Sequence, residues 1–451
     1  MHVIILGSGG IGESIAQYLV QEGHPVTVID EDVDSLAQLS EVMDVQTVQG
    51  LGCLPAVLQQ AGASTAEMVI AVTDSDEVNM VACQMAYSLF QVPKKIARVR
   101  DASYLSLTGS HLYTPDNLPV DVIISPELEV AQAIERTMKV PGAFDVHFFA
   151  QGKLMMVGLK VSEQAKILHE RIKNWSALEV PFEVLCIVRQ GRLLVPSIED
   201  HLEVDDDLYF LAKPEDMALS LDLLGKSEPC VKNAFIIGGG NVGLNLCHML
   251  EREGINLRVL EKNIERAEFL AEALSSGTVL SGDALNREIL QQENISQMDV
   301  ALCVTSDDAT NLLTTLVVKE QGVPNVLTLL HDTHFLPLAA NVGLDKVISP
   351  QQITVSRILR HVRRGYVEDV HTVGNGVGEV LELMVDVDSS LIGSHIRTLM
   401  LPRGSIVGAV IKENGDILFP WHDEAVVQQN SSLIIFAQTR VISAVECMFE
   451  R

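Results

Sequence analysis

Gly7, Gly9 and Gly12 in the run VIILGSGGIG have the spacing of a backbone turn that closes around a pyrophosphate. The three glycines act differently. Gly7 makes the turn, Gly9 lets the backbone approach the phosphates, and Gly12 lets the following helix pack closely on the strand. Ser8, Gly10 and Ile11 fill the rest of the turn. The unpaired amides and partial positive charge of the helix N-terminus complete an anion site there. Asp30 closes the next apolar run, VTVID, eighteen residues (30 − 12) past Gly12. A carboxylate in that place accepts from both hydroxyls of an adenosine ribose. Thr73 and Asp74 end the run MVIAVTD and belong to the rim of the same site, while Arg98 and Arg100 lie in KKIARVR, where strand alternation points the two to opposite faces and lets one of them reach the mouth of the cleft.

The whole constellation recurs. AFIIGGGNVG holds Gly238, Gly239, Gly240, Asn241, Val242 and Gly243, with the glycine spacing repeated 231 positions on (238 − 7). Glu261 closes VLE as Asp30 closes VID, and Asp283 sits in the turn GDA. Thr305 and Ser306 in VTSDDATN answer Thr73 and Asp74 in VTDSDEVN, and Asn311 answers Asn79. The chain is a tandem duplication with two candidate nucleotide sites. Nothing in it pairs a nucleophile with a base, so no catalytic residue is expected.

The elements that must hold these residues are legible as alternating patterns. Apolar runs at 3–6, 26–29, 46–49, 68–72, 96–99 and 121–124 are separated by helical patterns at about 11–22, 33–42, 54–61, 78–90 and 103–109. Strands alternating with helices predict a parallel sheet. In the order 3-2-1-4-5-6 a cleft opens beside the first strand, where Thr73 faces Gly7. Thr73 is also a candidate helix N-cap. Further helices begin at Ser125-Pro126 and Ser349-Pro350, after the last strand of each sheet, and are expected to cross to another lobe or subunit. In the second, Ile358, Leu359 and Val362 form an apolar stripe, with His361, Arg363 and Arg364 at its end. Residues 143–222 and 366–449 then change to short β-like runs with a helical patch near 163–174. The fold class is α/β: two Rossmann-like doubly wound parallel sheets, each followed by a small α+β lobe. The expected domains are 1–140, 141–225, 233–365 and 366–451, with KSEPCVKN as the linker and a seven-residue excess around TGSHLYTPDNLP in the first half.

Composition narrows the partners. A formal net charge of −28 excludes the basic footprint that nucleic acid requires. It also disfavours an anionic lipid surface and suits a cationic protein partner. Mean hydropathy of +0.24 fits parallel strands covered on both faces. No apolar run reaches the roughly 18 residues of a membrane span, and the N-terminus leads straight into a strand, so a cytoplasmic protein is expected. The seven cysteines (53, 83, 186, 230, 247, 303, 447) form no C-x-x-C pair and read as buried thiols. His331 and His334 lack a third ligand at useful spacing, so no metal site is expected.

The motifs ILGSGGIG, VID, AVTDSDEVNMVACQMA and IARVR, followed by IIGGGNVG, VLE, GDA, VTSDDATN and ISPQQITVSRILRHVRR, closely resemble the Trk-system potassium uptake regulatory subunits, built of tandem RCK (regulator of K⁺ conductance) domains. The resemblance spans essentially the whole chain. It implies nucleotide lobes that take NAD(H) and ATP or ADP. It further implies a homo-oligomeric ring beneath a membrane potassium-translocating subunit, on the inner face of the plasma membrane. Two departures separate the halves. The first has Gly50-Leu51-Gly52 where the second has Gly282-Asp283-Ala284, and the second has Leu329 and His331 where the first has Arg98 and Arg100. The first site is therefore expected to favour ATP, with Arg98 as the phosphate contact, and the second, with Asp283 and no arginine, to favour NAD(H). An NAD-dependent oxidoreductase shares the glycine turn, but it needs a general acid or base near the nicotinamide, and the small lobes offer none.

Overall fold

The structure, a computed structural model, describes residues 1–107, 111–226, 231–344, 346–363, 366–396, 399–420 and 426–449. Arg364, Cys230 with the rest of the middle of the linker, and part of TGSHLYTPDNLP lie outside them. The described chain divides into two compact units, Met1–Glu129 with Pro350–Val362, and Val130–Ser349 with Arg363–Arg451.

In the first unit, β1 (Val3–Leu6), β2 (Val26–Asp30), β3 (Gln46–Gln49), β4 (Met68–Ala71), β5 (Lys94–Arg98) and β6 (Val122–Ile124) form a sheet in the order β3-β2-β1-β4-β5-β6. The pairings are parallel, and Val3 stands between Val26 and Met68, which brings the C-terminal ends of β2, β1 and β4 to one edge. All four residues of β1 are buried, as expected of a strand covered on both faces. One cover is the helix Pro350–Val362. Its Ile358, Leu359 and Val362 join Val3, Ile5, Ile15, Leu19, Val28, Ile70 and Ile124 in a single core. So the stripe expected to leave the second sheet seals the first lobe of the same chain. The Lys94 ammonium donates to the His361 carbonyl, placing a cation on the negative end of that helix. Of the helix expected over 103–109, the described residues form one turn, Ala102–Leu105, and 108–109 lie outside them.

The second unit holds two antiparallel sheets and, between them in sequence, the matching parallel one. The first antiparallel sheet is β7 (Ala143–Phe149), β8 (Leu154–Lys160), β9 (Phe182–Arg189), β10 (Arg192–Leu194) and β11 (Asp207–Ala212). The parallel sheet is β12 (Asn233–Ile237), β13 (Asn256–Glu261), β14 (Thr278–Ser281), β15 (Val300–Cys303), β16 (Asn325–Leu329) and β17 (Val347–Ile348), in the order β14-β13-β12-β15-β16-β17. The last sheet is β18 (Val367–Val373), β19 (Gly378–Met384), β20 (Ser405–Ile411), β21 (Ile417–Leu418) and β22 (Ser432–Gln438). The helical patch expected near 163–174 is a run of turns leading into a 3₁₀ segment, Ile172–Leu178, and an unexpected helix covers Met217–Leu223.

The two small lobes share one core, in which Phe149, Leu154, Met156 and Leu185 meet Val373, Val380, Ala409 and Phe436. A Cβ on Gly408 would lie 2.3 Å from Leu185 Cδ2 and 2.7 Å from Leu211 Cδ1, so a side chain there would force those leucines to move. The seam is held by two crossed pairs, His147 Nε2 to Asp369 Oδ2 at 3.1 Å and His371 Nε2 to Asp145 Oδ2 at 2.9 Å, with the rings 4.5 Å apart. Burial, reinforced by the charge of His371, pushes His147 down to about 4 against the pull of Asp369, so its imidazole is neutral at pH 7.

Glu382 closes the same seam, accepting from the Ala150 amide at 3.1 Å. Burial raises its carboxyl to about 7; the Ala150 amide opposes this, and Glu368 and Asp369 add to it. A raised folded-state value means stability that is full below the ordinary carboxyl range and lost as pH rises from there through about 7. This contribution of up to about 3 kcal/mol is lost between about pH 4.5 and about 7, and over about pH 4 to 6.5 it is opposed by His147, whose lowered value makes stability rise with pH. In thermal melts the second unit of Glu382→Gln should therefore gain stability across that window relative to the unmodified chain. Parallel pH profiles would mean that Glu382 carries none of the dependence.

Cys83, Cys186, Cys247 and Cys303 are buried as expected, Cys53 is half-buried and Cys447 is exposed. Among the described residues no helix is long and apolar enough to cross a membrane.

Candidate functional site

In the first lobe the turn after β1 is built as its glycines require. Gly7 has φ +105°, and a Cβ there would lie 3.1 Å from the Val72 carbonyl. A Cβ on Gly12 would come 1.9 Å from the Gly7 carbonyl, so the helix Gly10–Gln21 touches the strand only because that side chain is absent. Around Gly9, by contrast, the space within 4 Å is open, as a cradle for a ligand must be. Asp32, Ser75, Asn263, Asn286 and Asp307 cap helices elsewhere in the two sheets, whereas Pro55–Gln60 has no side-chain cap. The helix after Gly9 has no side-chain cap, which leaves its first amides for an external acceptor.

Asp30 lies beside that turn. Its Oδ2 accepts from the Ser8 amide at 2.6 Å and the Ser8 hydroxyl at 2.7 Å, and its Oδ1 accepts from the Asp32 amide at 3.0 Å. Burial raises its carboxyl, but these hydrogen bonds outweigh burial and hold it below the usual range. The ribose candidate is thus an ionised carboxylate that also braces the turn. Ile11 packs against the core of the lobe. From the other side Gln351, on the crossover helix, donates to the Gly10 carbonyl at 2.8 Å and to Ser14 Oγ at 2.7 Å. No sequence pattern singles out this residue, because its contact spans 341 positions.

Thr73 is not a helix cap. Ser75 caps Asp76–Phe90, and Thr73 gives its amide (3.0 Å) and hydroxyl (2.7 Å) to Asn79 Oδ1. Asn79, fully buried, donates in turn to the Thr73 and Arg98 carbonyls, tying the end of β4 to that of β5. Thr305 and Asn311 repeat the arrangement, with Asp307 as the cap. Asp74 is 93% exposed and lies 3.4 Å from Arg98 Nη1 and 4.0 Å from Arg100 Nη1. The strand ends at Arg98, so alternation does not separate the two arginines, and both flank Asp74. Burial lowers the Arg98 guanidinium, Arg100 lowers it further, and Glu127, Asp74 and Asp76 oppose them. Arg98 Nε is buried without an acceptor.

The second lobe repeats the turn. Gly238 has φ +109°, a Cβ on Gly243 would lie 2.0 Å from the Gly238 carbonyl, and Gly240 is open. The helix Asn241–Arg252 likewise lacks a side-chain cap; its Asn241 is exposed and its Val242 buried. Glu261 accepts from the Gly239 amide at 2.7 Å and the Asn263 amide at 2.8 Å. Ser306 is exposed.

Two expectations for this lobe need correction. Asp283 is not a bare carboxylate: its Oδ2 is 2.8 Å from Lys262 Nζ, and its Oδ1 accepts from the Leu285 amide at 3.0 Å. Lys262 and that amide hold its carboxyl below the usual range. Nor does the site lack an arginine. Arg266 Nε donates to the Gly239 carbonyl at 2.7 Å. Its place, five residues past Glu261 on the next helix, was the available signal.

A family model for the TrkA-N domain matches residues 3–126 and 234–350. The chain is 36% identical to the Trk system potassium uptake protein TrkA of Azorhizobium caulinodans, over 100% of this chain and 98% of that one. It is also 36% identical to the protein of that name from Halomonas elongata, over 100% and 99%. Among solved structures, the GsuK RCK domain matches with a TM-score of 0.62 and 19% identity, covering 99% of this chain and 94% of that one. The GsuK channel bound to NAD matches with a TM-score of 0.61 and 18% identity, covering 99% and 78%.

Proposed function

This chain belongs to the TrkA family of Trk-system potassium uptake proteins, and we propose that it is a nucleotide-sensing regulatory subunit of a membrane potassium-translocating protein. The observation that carries the reading is the pair of uncapped helix N-termini at open Gly9 and Gly240, each beside a carboxylate braced to its turn. Such a site takes the pyrophosphate and adenosine common to NAD(H), ATP and ADP. We assign to it Gly7–Gly12 with Asp30, Thr73, Asp74 and Arg98 in the first lobe, and Gly238–Gly243 with Glu261, Asp283, Thr305 and Ser306 in the second. The four lobes, 1–140, 141–225, 233–365 and 366–451, work as a homo-oligomeric ring on the cytoplasmic face of the plasma membrane. The chain performs no chemistry of its own: a nucleotide acts by binding one conformation better than another. Gln351 supports a route for that preference, because it joins the phosphate-binding turn to the crossover helix.

A potassium flux assay with the membrane subunit in vesicles, run with NADH, ATP and ADP in turn, tests the reading. Flux independent of all three would overturn it. Asp30→Ala and Glu261→Ala should each weaken NADH binding at their own site. A lost hydrogen bond to a charged group, at about 1.5–3 kcal/mol, corresponds to roughly 10- to 100-fold. Arg98→Ala should weaken ATP by a similar factor and NADH by less, since a terminal phosphate leaves more charge at the end of β5 than a bridged pyrophosphate does. Calorimetric titration separates the two ligands, and equal losses for both would remove Arg98 from the phosphate site.

A further inference from the structure

The ends of β2 and β13 carry the same ribose carboxylate in opposite electrostatic settings. In the first lobe Asp30 is followed by Glu31 and Asp32, Ser35 spends its hydroxyl on Asp32 Oδ2 at 2.7 Å, and Leu51 stands where the second lobe has Asp283. Three carboxylates gather there with no cation in the corresponding positions. In the second lobe Glu261 is followed by Lys262 and Asn263, and Arg266 takes the place of Ser35. Two cations balance Glu261 and Asp283.

Their placement matters more than their number. Gly239 is held on both sides, its amide by Glu261 Oε2 at 2.7 Å and its carbonyl by Arg266 Nε at 2.7 Å. This brings the guanidinium to the same residue as the carboxylate that would hold the ribose. Arg266 Nη2 is buried and has no acceptor from the protein. Lys262 reaches over Asp283, with Nζ 2.8 Å from Oδ2 and its side chain 78% exposed, so it is available to an incoming anion.

We propose that the second site accepts a dinucleotide phosphorylated on the adenosine 2′ oxygen, NADP(H), as well as NAD(H), whereas the first accepts only the unphosphorylated form. The inference rests on the nucleotide reading above and adds the ligand class. Arginine beside the ribose is the physical requirement for a 2′-phosphate, because its planar fork matches phosphate oxygens and it stays charged. Arg266 supplies an unused N–H and Lys262 a second positive charge. At the first site the phosphate would meet Asp30, Glu31 and Asp32, and like charges in a partly buried cleft repel. Arg266 is therefore a specificity residue of the second site.

Titration of the full-length protein with NADH and with NADPH tests this. NADPH should fill half as many sites per chain as NADH. Arg266→Ala should weaken NADPH by about 10-fold or more, the scale of a charge-assisted hydrogen bond, and NADH by much less. Because Arg266 also braces the turn, a second variant acts from the other direction: Glu31→Lys with Ser35→Arg in the first lobe should raise the NADPH stoichiometry to that of NADH. NADH binding with no NADPH binding, or NADPH filling both sites of the unmodified chain, would overturn the proposal. Binding of neither would instead overturn the nucleotide reading beneath it.

Discussion

Replacing Ile358 and Leu359 together by aspartate should cost the first unit more than about 5 kcal/mol. Both side chains are almost wholly inaccessible, at 0% and 1% exposure, in the core that contains β1. Truncating one such residue alone costs about 2–5 kcal/mol, and the replacement adds two carboxylates to a site with no partners provided for them. A domain stable by about 5–15 kcal/mol does not absorb that. Either the first unit unfolds or the helix Pro350–Val362 leaves it and exposes Val3, Ile5 and Ile124. Limited proteolysis and circular dichroism register both outcomes. A variant with native spectrum, native protease resistance and native mass would show that the stripe contributes nothing to this core.

Arg363→Ala should destabilise the second unit by about 3–5 kcal/mol, the usual result of removing one partner from a buried ion pair. Arg363 is 2% exposed at its side chain; its Nη2 is 2.7 Å from Glu379 Oε2 and its Nη1 2.8 Å from Glu446 Oε1. Burial pushes the Glu379 carboxyl up and Arg363 pulls it back. Without the arginine, Glu379 is left as an uncompensated charge on β19. The deficit should therefore shrink in acid, where that carboxyl is protonated. Combining Arg363→Met with Glu379→Leu should recover most of the loss, since apolar replacement of a whole buried pair is often neutral. Urea melts in mildly acidic and mildly alkaline buffer provide the comparison, and a loss below about 1 kcal/mol, the scale of an exposed pair, would mean that the cluster is solvated.

Much of the architecture was legible because it is written in local patterns. The all-buried strand Val3–Leu6 reads as an unbroken apolar run, and Gly12 is required by a carbonyl only five residues away. The strand order followed from the alternation of strands and helices, which restricts the connections a parallel sheet can make. Within the candidate site the carboxylates Asp30 and Glu261 were legible for the same reason. The work of Asn79 and Asn311 was not. They recur in both halves, but only the contacts show that each ties two strand ends together instead of touching the cleft.

Spacing and periodicity over a few tens of residues were enough to specify the duplication, the two parallel sheets, the glycine turns and the carboxylate at each second strand. Long-range contacts settled three further matters: which lobe the helix Pro350–Val362 covers, where Arg266 puts its guanidinium, and that His147 and His371 each pair with an aspartate of the other small lobe. The contacts of that helix and of those histidines join residues 222 to 341 positions apart, so no local pattern encodes them. Arg266 is close in sequence to Glu261, but the direction of its side chain was set by what the Gly239 carbonyl left unpaired.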